Sequence, residues 1–218
     1  MYSLILFDLD GTLTESGEGI MKSAQYALGK LGKEVADWRE LRPFVGPPLI
    51  GMLMKYAGVD RAAAEQGVVY YREYFQEKGI FENALYPGIP EMLKKLKEKG
   101  RALGIASSKP EPYVRQITDY FHITEYFDVI TGSTMAETRT KKSEVIEEAL
   151  RRYSLQEDIR PSAIMVGDKS HDILGAREAG LRCIGVLYGY GTREEIEGAD
   201  PFAVAETVEE LEELLLNR

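Results

Sequence analysis

The sequence predicts an α/β fold: a doubly wound parallel sheet with a small inserted all-helical domain. Short apolar runs of strand length recur along the chain, and most of them end at polar residues. Between them lie amphipathic stretches with apolar residues at helical spacing, and strands that alternate with helices are typical of a parallel sheet. One long segment near the N-terminus contains only helix-like stretches, which indicates an insertion.

The predicted strands are five apolar runs. The first, residues 2–7 (YSLILF), stops abruptly at Asp-Leu-Asp-Gly-Thr, as a buried strand does when it delivers polar groups to a turn. The other four are residues 102–107 (ALGIAS), 127–132 (FDVITG), 163–167 (AIMVG) and 183–187 (CIGVL). Cys183, the single cysteine, begins the last run and is therefore interpreted as a buried strand residue rather than a nucleophile.

The predicted helices of the sheet-forming part carry apolar residues three and four positions apart. They are the stretches IPEMLKKLKEKG after Pro87 and Gly88, PYVRQITDYF, KSEVIEEALRRY, HDILGAREAG and the C-terminal ETVEELEELLLNR. The acidic start of the last stretch suits the positive end of a helix dipole.

The inserted segment holds the helix-like stretches GIMKSAQYALGKLG, PPLIGMLMKYAG and RAAAEQGVVYYREYFQEKG. Gly, Ser, Asn and Pro collect at its two borders, as they do in hinges. We therefore predict a Rossmann-like core formed by residues 1–15 and 83–218 and a helical cap domain formed by residues 16–82.

Composition excludes several classes of partner. The 218 residues include 27 basic and 36 acidic side chains, and the net charge of -9 disfavours binding to nucleic acid or to an anionic membrane. The apolar runs are far shorter than the roughly 20 residues of a membrane span, and the N-terminus does not resemble a signal peptide. We expect a cytoplasmic protein that is either a monomer or a homodimer. One cysteine and two histidines disfavour a Cys/His zinc site.

Polar side chains follow most of the predicted strands. In a parallel α/β sheet, functional groups gather just beyond the carboxyl ends of the strands. The groups placed there are Asp8 and Asp10 after the first run, Ser107, Ser108 and Lys109 after the second, Asp168 and Asp172 after the 163–167 run, and Lys142 at the start of the helix before it.

These residue types favour phosphoryl transfer. Several carboxylates brought together repel one another unless a cation is present, and hard oxygen ligands without His or Cys indicate Mg²⁺. Ser107 and Lys142 supply a hydroxyl donor and a positive charge for phosphate oxygens. A carboxylate such as Asp8 is a competent nucleophile toward phosphorus, and a second carboxyl two residues away, Asp10, can protonate the leaving oxygen and later activate water.

The same residue types also occur in other kinds of site. A calcium EF-hand fails, because counting from Asp8 puts Leu13 where its glycine belongs and Gly19 where its glutamate belongs. Asp168 and Asp172 also suit the start of a helix without any catalytic role. His171 is interpreted as a surface residue and has no place in the mechanism.

Together and in this order, four motifs resemble those of the haloacid dehalogenase superfamily of phosphohydrolases, in the branch close to phosphoglycolate phosphatase with a helical cap. They are FDLDGTLTES, GIASSKP, the region of Lys142 and MVGDKSHDILGA, and with the cap-like insertion they cover most of the chain. The resemblance implies a Mg²⁺-dependent phosphatase that hydrolyses a small phosphate monoester through a phospho-aspartate. A phosphorylated metabolite, such as phosphoglycolate or a nucleoside 5′-monophosphate, is then the expected partner.

The resemblance also implies roles for single residues. Asp8 matches the nucleophile and a metal ligand, Asp10 the general acid/base whose backbone carbonyl also meets the metal, and Asp168 the acidic metal ligand. Asp172 matches the acid that supports these ligands, and Thr12, with Gly11, the turn after the nucleophile.

The phosphate-binding residues follow from the second and third motifs. Ser107 matches the phosphate-binding hydroxyl, with Ser108 beside it. Spacing alone does not choose between Lys141 and Lys142 as the phosphate-binding lysine, and Lys142 is selected because the SEVIEEAL stretch after it aligns with the family's helix.

Functions other than that of a phosphatase were compared with the same residues. A phosphomutase of this superfamily normally offers a histidine soon after the first motif, and ESGEGIMKSAQ has none. A dehalogenase has no need of Asp10, and a phosphate-holding receiver domain is much shorter and lacks a cap. An inorganic pyrophosphatase suits the core as well. Candidate substrate contacts in the cap are Arg42, Lys55, Tyr70 and Arg72, with none singled out.

Overall fold

The computed structural model describes residues 2–136, 138–154 and 158–217. The chain forms two compact units, a core unit of Met1–Thr14 with Leu85–Arg218 and a cap unit of Glu15–Ala84. The unit borders fall one and two residues from the borders predicted at 15/16 and 82/83.

Eight strands occur in the described part of the chain. They are β1 (Leu4–Phe7), β2 (Thr14–Glu15), β3 (Ala84–Leu85), β4 (Ala102–Pro110), β5 (Val129–Ser133), β6 (Ala163–Gly167), β7 (Arg182–Val186) and β8 (Ala203–Ala205). Two short strands, β2 and β3, form a sheet of their own, and the other six form one sheet in the order β5-β4-β1-β6-β7-β8. Among the described residues, neighbouring strands of this larger sheet all pair in parallel, so the predicted fold class is confirmed.

The middle of the sheet is the switch point of the fold. Strand β1 pairs with β4 through Leu4 and Ala102 and with β6 through Leu4 and Ala163. The chain proceeds from β1 outward through β4 and β5 on one side, and returns to β6, β7 and β8 on the other. All four residues of β1 are fully buried. In such sheets the crevice beyond the carboxyl ends at the switch point is where ligands bind.

The helices, in chain order, are α1 (Gly17–Lys30), α2 (Leu49–Ala57), α3 (Arg61–Tyr74), α4 (Ile89–Glu98), α5 (Glu111–Tyr120), α6 (Lys142–Tyr153), α7 (Ser170–Glu178), α8 (Arg193–Gly198) and α9 (Val208–Leu216). Short 3₁₀ segments cover Trp38–Phe44, Thr124–Tyr126 and Arg160–Ser162, and a π-helical turn covers Phe75–Gly79. Among the described residues, none of the helices combines the length and the apolar character of a membrane-spanning segment.

Several features differ from the sequence prediction, among them the short strands β2 and β3, which were not predicted. Strand β4 runs to Pro110 rather than 107, with a shift of register against β5 after Ala106. The third cap helix ends its α-helical part at Tyr74, and the π-helical turn takes its last residues. Elements α8 and β8 were not predicted, because six and three residues are too few for a recognisable period.

The cap unit has an apolar interior of its own. Ala24, Leu28 and Leu53 are fully buried in it, and Phe75 is nearly so. At one point the backbones approach closely: a Cβ on Gly19 of α1 would lie only 1.8 Å from the carbonyl oxygen of Gly79. Glycine is required there by this contact rather than by its backbone angles.

Candidate active site

Asp8 lies at the carboxyl end of β1. Its N–H donates to the carbonyl of Val166 at 2.9 Å, which extends the ladder between β1 and β6, and the residue is buried. The chain then turns, with Gly11 at a φ of +83°, a conformation that favours glycine. The next carboxyl group, Asp10, lies between Asp8 and this turn.

Lys142 places a positive charge among the acids. It begins α6 and is buried, and its Nζ lies 2.9 Å from Asp8 Oδ1 and 2.8 Å from Asp172 Oδ1. The same nitrogen donates to the carbonyl of Ala106 at 3.1 Å. Lys141 is exposed, so of the two neighbouring lysines it is Lys142 that the structure brings to the carboxylates.

Three buried carboxylates converge beside this lysine. Asp168 directly follows β6, and Asp172 lies in the first turn of α7, where its Oδ2 accepts a hydrogen bond from Lys169 N at 3.0 Å. Asp8, Asp168 and Asp172 each place one oxygen within 4.8 Å of the others. The sequence predicts Asp8, Asp168 and the backbone carbonyl of Asp10 as metal ligands. The carboxylates that lie together are those of Asp8, Asp168 and Asp172.

Burial and neighbouring charges act differently on these groups. Burial raises the pKa of Asp8 above its usual value, although Lys142 opposes the shift. Burial, reinforced by the charges of Asp172 and Asp8, raises the pKa of Asp168 well above the ordinary range. Asp172 is also buried, but the Lys142 ammonium and His171 hold its pKa below the usual value. An ionised Asp168 is therefore costly in the metal-free protein.

The cluster fits a divalent cation. Its described members are four carboxylates, Asp8, Asp10, Asp168 and Asp172, and two lysines, Lys109 and Lys142, so the formal charge is -2 when all are ionised. A single divalent cation would neutralise that charge. The available donors are carboxylate oxygens, which suit hard cations. Buried carboxylates at this spacing are stable together only when such a charge compensates them.

We expect the metal-free protein to lose stability as the pH rises. The folded-state pKa values of Asp8 and Asp168 lie above the usual 3.8, so above that pH the folded state binds more protons than the unfolded state. The stabilisation is complete below 3.8 and is lost as the pH rises through the folded-state values. Asp172, whose pKa is lowered, contributes in the opposite sense only at more acidic pH.

Thermal unfolding in EDTA from about pH 5 to neutral measures this effect, because the carboxyls whose pKa is lowered, such as Glu111 and Glu148, are already ionised in that range. The midpoint should fall with rising pH, Asp168→Asn should flatten the dependence, and added Mg²⁺ should restore the midpoint at neutral pH. A midpoint that does not change with pH in EDTA would contradict the prediction.

The serines predicted to bind phosphate lie at the irregular end of β4. Ser107 is buried, and its Oγ accepts a hydrogen bond from Lys109 N at 3.3 Å. The Ser108 hydroxyl donates to the carbonyl of Thr140 at 3.4 Å, which ties this end of β4 to the segment before α6. Thr12 is fully buried and its hydroxyl donates to Asp168 Oδ1 at 3.5 Å, which places it behind the carboxylate trio.

Lys109 received no role from the sequence, although it was recognised as a polar residue at a strand end. Its Nζ lies 3.0 Å from Asp10 Oδ2, and its side chain is only 7% exposed. Asp10 Oδ1 is buried and accepts no hydrogen bond from the described residues. Lys109 therefore contacts one carboxylate oxygen of Asp10 and not the other. The available signal was its position two residues after Ser107.

His171 and Cys183 have no predicted role in the mechanism. His171 is 41% exposed, with its Nε2 3.6 Å from Asp172 Oδ1. Cys183 is buried in β7, as predicted, and burial raises the pKa of its thiol well above the usual value. A thiol held in its protonated form is a poor nucleophile.

Comparison with known proteins identifies the family. Residues 5–186 match the family model of haloacid dehalogenase-like hydrolases. A 5′-nucleotidase of Pseudomonas aeruginosa is 42% identical over 200 residues, which cover 92% of this chain and 89% of that protein. The tyrosine-protein kinase PtkA of Mycobacterium tuberculosis is 36% identical over 97% of this chain and 72% of its own length. A phosphoglycolate phosphatase of Pseudomonas syringae is 28% identical over 95% of this chain and 78% of its own length.

A solved structure supports the same assignment. A predicted phosphatase from Clostridium acetobutylicum has a TM-score of 0.94 and 41% identity, with all of both chains covered. The family expected from the four motifs is thus confirmed by sequence and by fold. The chain belongs to the haloacid dehalogenase-like hydrolase family, and it is an enzyme of the phosphatase branch of that family.

Proposed function

We propose that the protein is a Mg²⁺-dependent phosphatase that hydrolyses a small-molecule phosphate monoester through a phospho-aspartate on Asp8. The observation that carries this proposal is the contact of Lys142 with both Asp8 and Asp172 beside Asp168. A buried nucleophile, a fixed cation and a carboxylate cluster for a metal are the groups that phosphoryl transfer to a carboxylate requires.

In the first step, an oxygen of Asp8 attacks phosphorus and the bond between phosphorus and the ester oxygen breaks. Asp10 gives its proton to that leaving oxygen, so an alcohol departs and Asp8 carries the phosphoryl group. In the second step a water attacks phosphorus, Asp10 takes a proton from that water, and the bond to Asp8 breaks. Inorganic phosphate leaves, and both aspartates return to their starting forms.

The remaining residues stabilise charge. Lys142 and Ser107 would bind the phosphate oxygens, with Ser108 supporting the strand end that carries Ser107. Asp8, Asp168 and the backbone carbonyl of Asp10 would hold Mg²⁺, which when bound supplies positive charge against the phosphoryl oxygens. Asp172 holds Lys142 in place, and Thr12 supports Asp168.

Two substrate classes have support. Similarity to a protein named 5′-nucleotidase supports a nucleoside 5′-monophosphate as the substrate. Similarity to a protein named phosphoglycolate phosphatase supports a small carboxylate phosphate. Both are small anionic metabolites, the class of partner that the sequence predicts. Phosphomutase and inorganic pyrophosphatase activity are the alternatives.

The test is phosphate release from phosphoglycolate, nucleoside monophosphates, sugar phosphates, pyrophosphate and an aryl phosphate, each with Mg²⁺ and with EDTA. Release that depends on Mg²⁺ and is much faster for one monoester supports the proposal and identifies the substrate. Fastest release from pyrophosphate would favour the pyrophosphatase, and transfer between sugar phosphates without free phosphate would favour the mutase.

Asp10→Asn is expected to slow turnover of an alkyl phosphate by about 10²- to 10⁴-fold, because the leaving oxygen and the attacking water both lose their proton-transfer partner. With an aryl phosphate, whose leaving group needs no proton, Asp8 should still be phosphorylated. Phospho-aspartate should then accumulate, and acid quenching with labelled substrate measures it. If the variant turned over both substrates at the parental rate, Asp10 would not be the acid/base.

A further inference from the structure

The Asp168 carboxylate is enclosed by the backbone of two separate segments of the core unit. One is the turn at Gly11 and Thr12, and the other is the segment Tyr188–Gly191 after β7, here called the glycine loop. The N–H of Tyr190 donates to Asp168 Oδ2 at 2.8 Å, and the Thr12 hydroxyl donates to Oδ1 at the longer distance of 3.5 Å. The shorter of these two bonds comes from the glycine loop.

The glycines of this loop are required by close contact. A Cβ on Gly189 would lie 2.3 Å from the carbonyl oxygen of Gly11 and 2.5 Å from Asp168 Cβ. A Cβ on Gly191 would lie 2.0 Å from the backbone oxygen of Asp168. Real Cβ atoms do not approach backbone so closely, so any side chain at 189 or 191 would push the loop away from Asp168.

The loop is also anchored at both sides of the contact. The hydroxyl of Tyr188 donates to the carbonyl of Thr12 at 3.1 Å, and its ring packs edge-on against Tyr86 at 4.9 Å between centroids. Lys169 Nζ donates to the carbonyl of Tyr190 at 3.2 Å. Backbone held on both sides orients its amide more strictly than a mobile side chain would.

We propose that the glycine loop is a positioning element that fixes the orientation of Asp168 for the metal ion. This inference rests on the proposed function, because it concerns the cation of the same site. A buried carboxylate that is hydrogen-bonded before the cation arrives loses less freedom on binding than one that must first be ordered. The loop acts through Asp168 and does not itself bind the metal.

Gly189→Ala tests the proposal. Mg²⁺ is titrated into metal-free protein by calorimetry, and Mn²⁺ is followed by its electron paramagnetic resonance signal. We expect the dissociation constant for Mg²⁺ to rise by about 10- to 100-fold, the range found when groups that orient metal ligands are removed. Gly198→Ala is the matched control, because a Cβ there has no atom within 4 Å, and its affinity should equal that of the parent.

A second variant removes only the hydrogen bond. Replacing Tyr190 by its α-hydroxy acid turns the amide into an ester, deletes the N–H donor and keeps the ring, so it decides the question even if Gly189→Ala does not fold. Tyrosine introduced at position 190 by the same procedure is the control. The affinity for Mg²⁺ should fall in this variant too.

The kinetic readout separates positioning from a general loss of structure. The Mg²⁺ concentration for half-maximal activity should rise in both variants, while kcat at saturating Mg²⁺ should return to near the parental value. Equal Mg²⁺ affinity in the parent and in the ester variant would overturn this inference alone. Absence of Mg²⁺ binding by the parent would overturn the proposed metal site and this inference together.

Discussion

Asp8→Asn is expected to lower kcat by a factor on the order of 10⁴ or more, and to prevent any phosphorylation of the protein. The amide is nearly isosteric with the carboxylate but is not a nucleophile toward phosphorus. Asp8 is the carboxylate that directly follows β1, and it contacts Lys142 at 2.9 Å. Phosphate release and acid-quenched labelling with the best substrate measure both effects, at times short enough to exclude deamidation.

The fold should survive this change. Burial raises the pKa of Asp8 although Lys142 opposes the shift, so the ionised group is disfavoured in the metal-free protein and a neutral amide relieves that cost. Lys142 keeps Asp172 as its carboxylate partner in this variant. The thermal midpoint in EDTA at neutral pH should therefore not decrease. Asp200→Asn is the matched control: its side chain is 93% exposed, and its φ of 59° is one that asparagine tolerates. If Asp8→Asn kept the parental rate, Asp8 would not be the nucleophile.

Much of the fold could be predicted because its strands are short, apolar and bounded by polar groups. The predicted run YSLILF contains all of β1 and two further residues before it, and AIMVG matches β6. The weaker elements were beyond the sequence: three-residue β8 has no periodicity, and the continuation of β4 through Ser107 to Pro110 depends on pairing with β5 across a register shift. Pairing between distant segments is a tertiary effect that a local pattern does not contain.

Some features of the candidate site could likewise be predicted from the sequence, and others could not. Residues at strand ends could be predicted because parallel strands bring their carboxyl ends to one edge, as for Asp8 and Asp168. The ion pair of Lys109 with Asp10 and the contact of the glycine loop with Asp168 could not, because both depend on distances between segments far apart in the chain. From the sequence, Lys142 could be preferred to Lys141 only by alignment with the family. In the structure the two lysines differ in burial, since Lys142 is buried and Lys141 is exposed.

Lys142→Met is the second change for which we expect a large effect, here on both activity and stability. Methionine keeps most of the length and apolar stem of lysine but removes its charge. Asp8 and Asp172 would then lose their shared ammonium partner in a buried site, and removing one member of a buried ion pair costs about 3–5 kcal/mol. The free energy of unfolding, measured in urea with EDTA, should fall by that amount. Lys141→Met is the control, because Lys141 is the adjacent residue and is exposed.

Activity and stability can then be separated with a second substitution. In Lys142→Met with Asp172→Asn, one of the two uncompensated carboxylates is neutral, so much of the lost stability should return. The activity should not return, since the phosphate would still lack the positive charge that Lys142 provides and Ser107 cannot replace. Recovery of kcat together with stability would mean that Lys142 only compensates charge in the fold. Recovery of stability with kcat still several orders of magnitude below the parent would place Lys142 in the phosphoryl-transfer step.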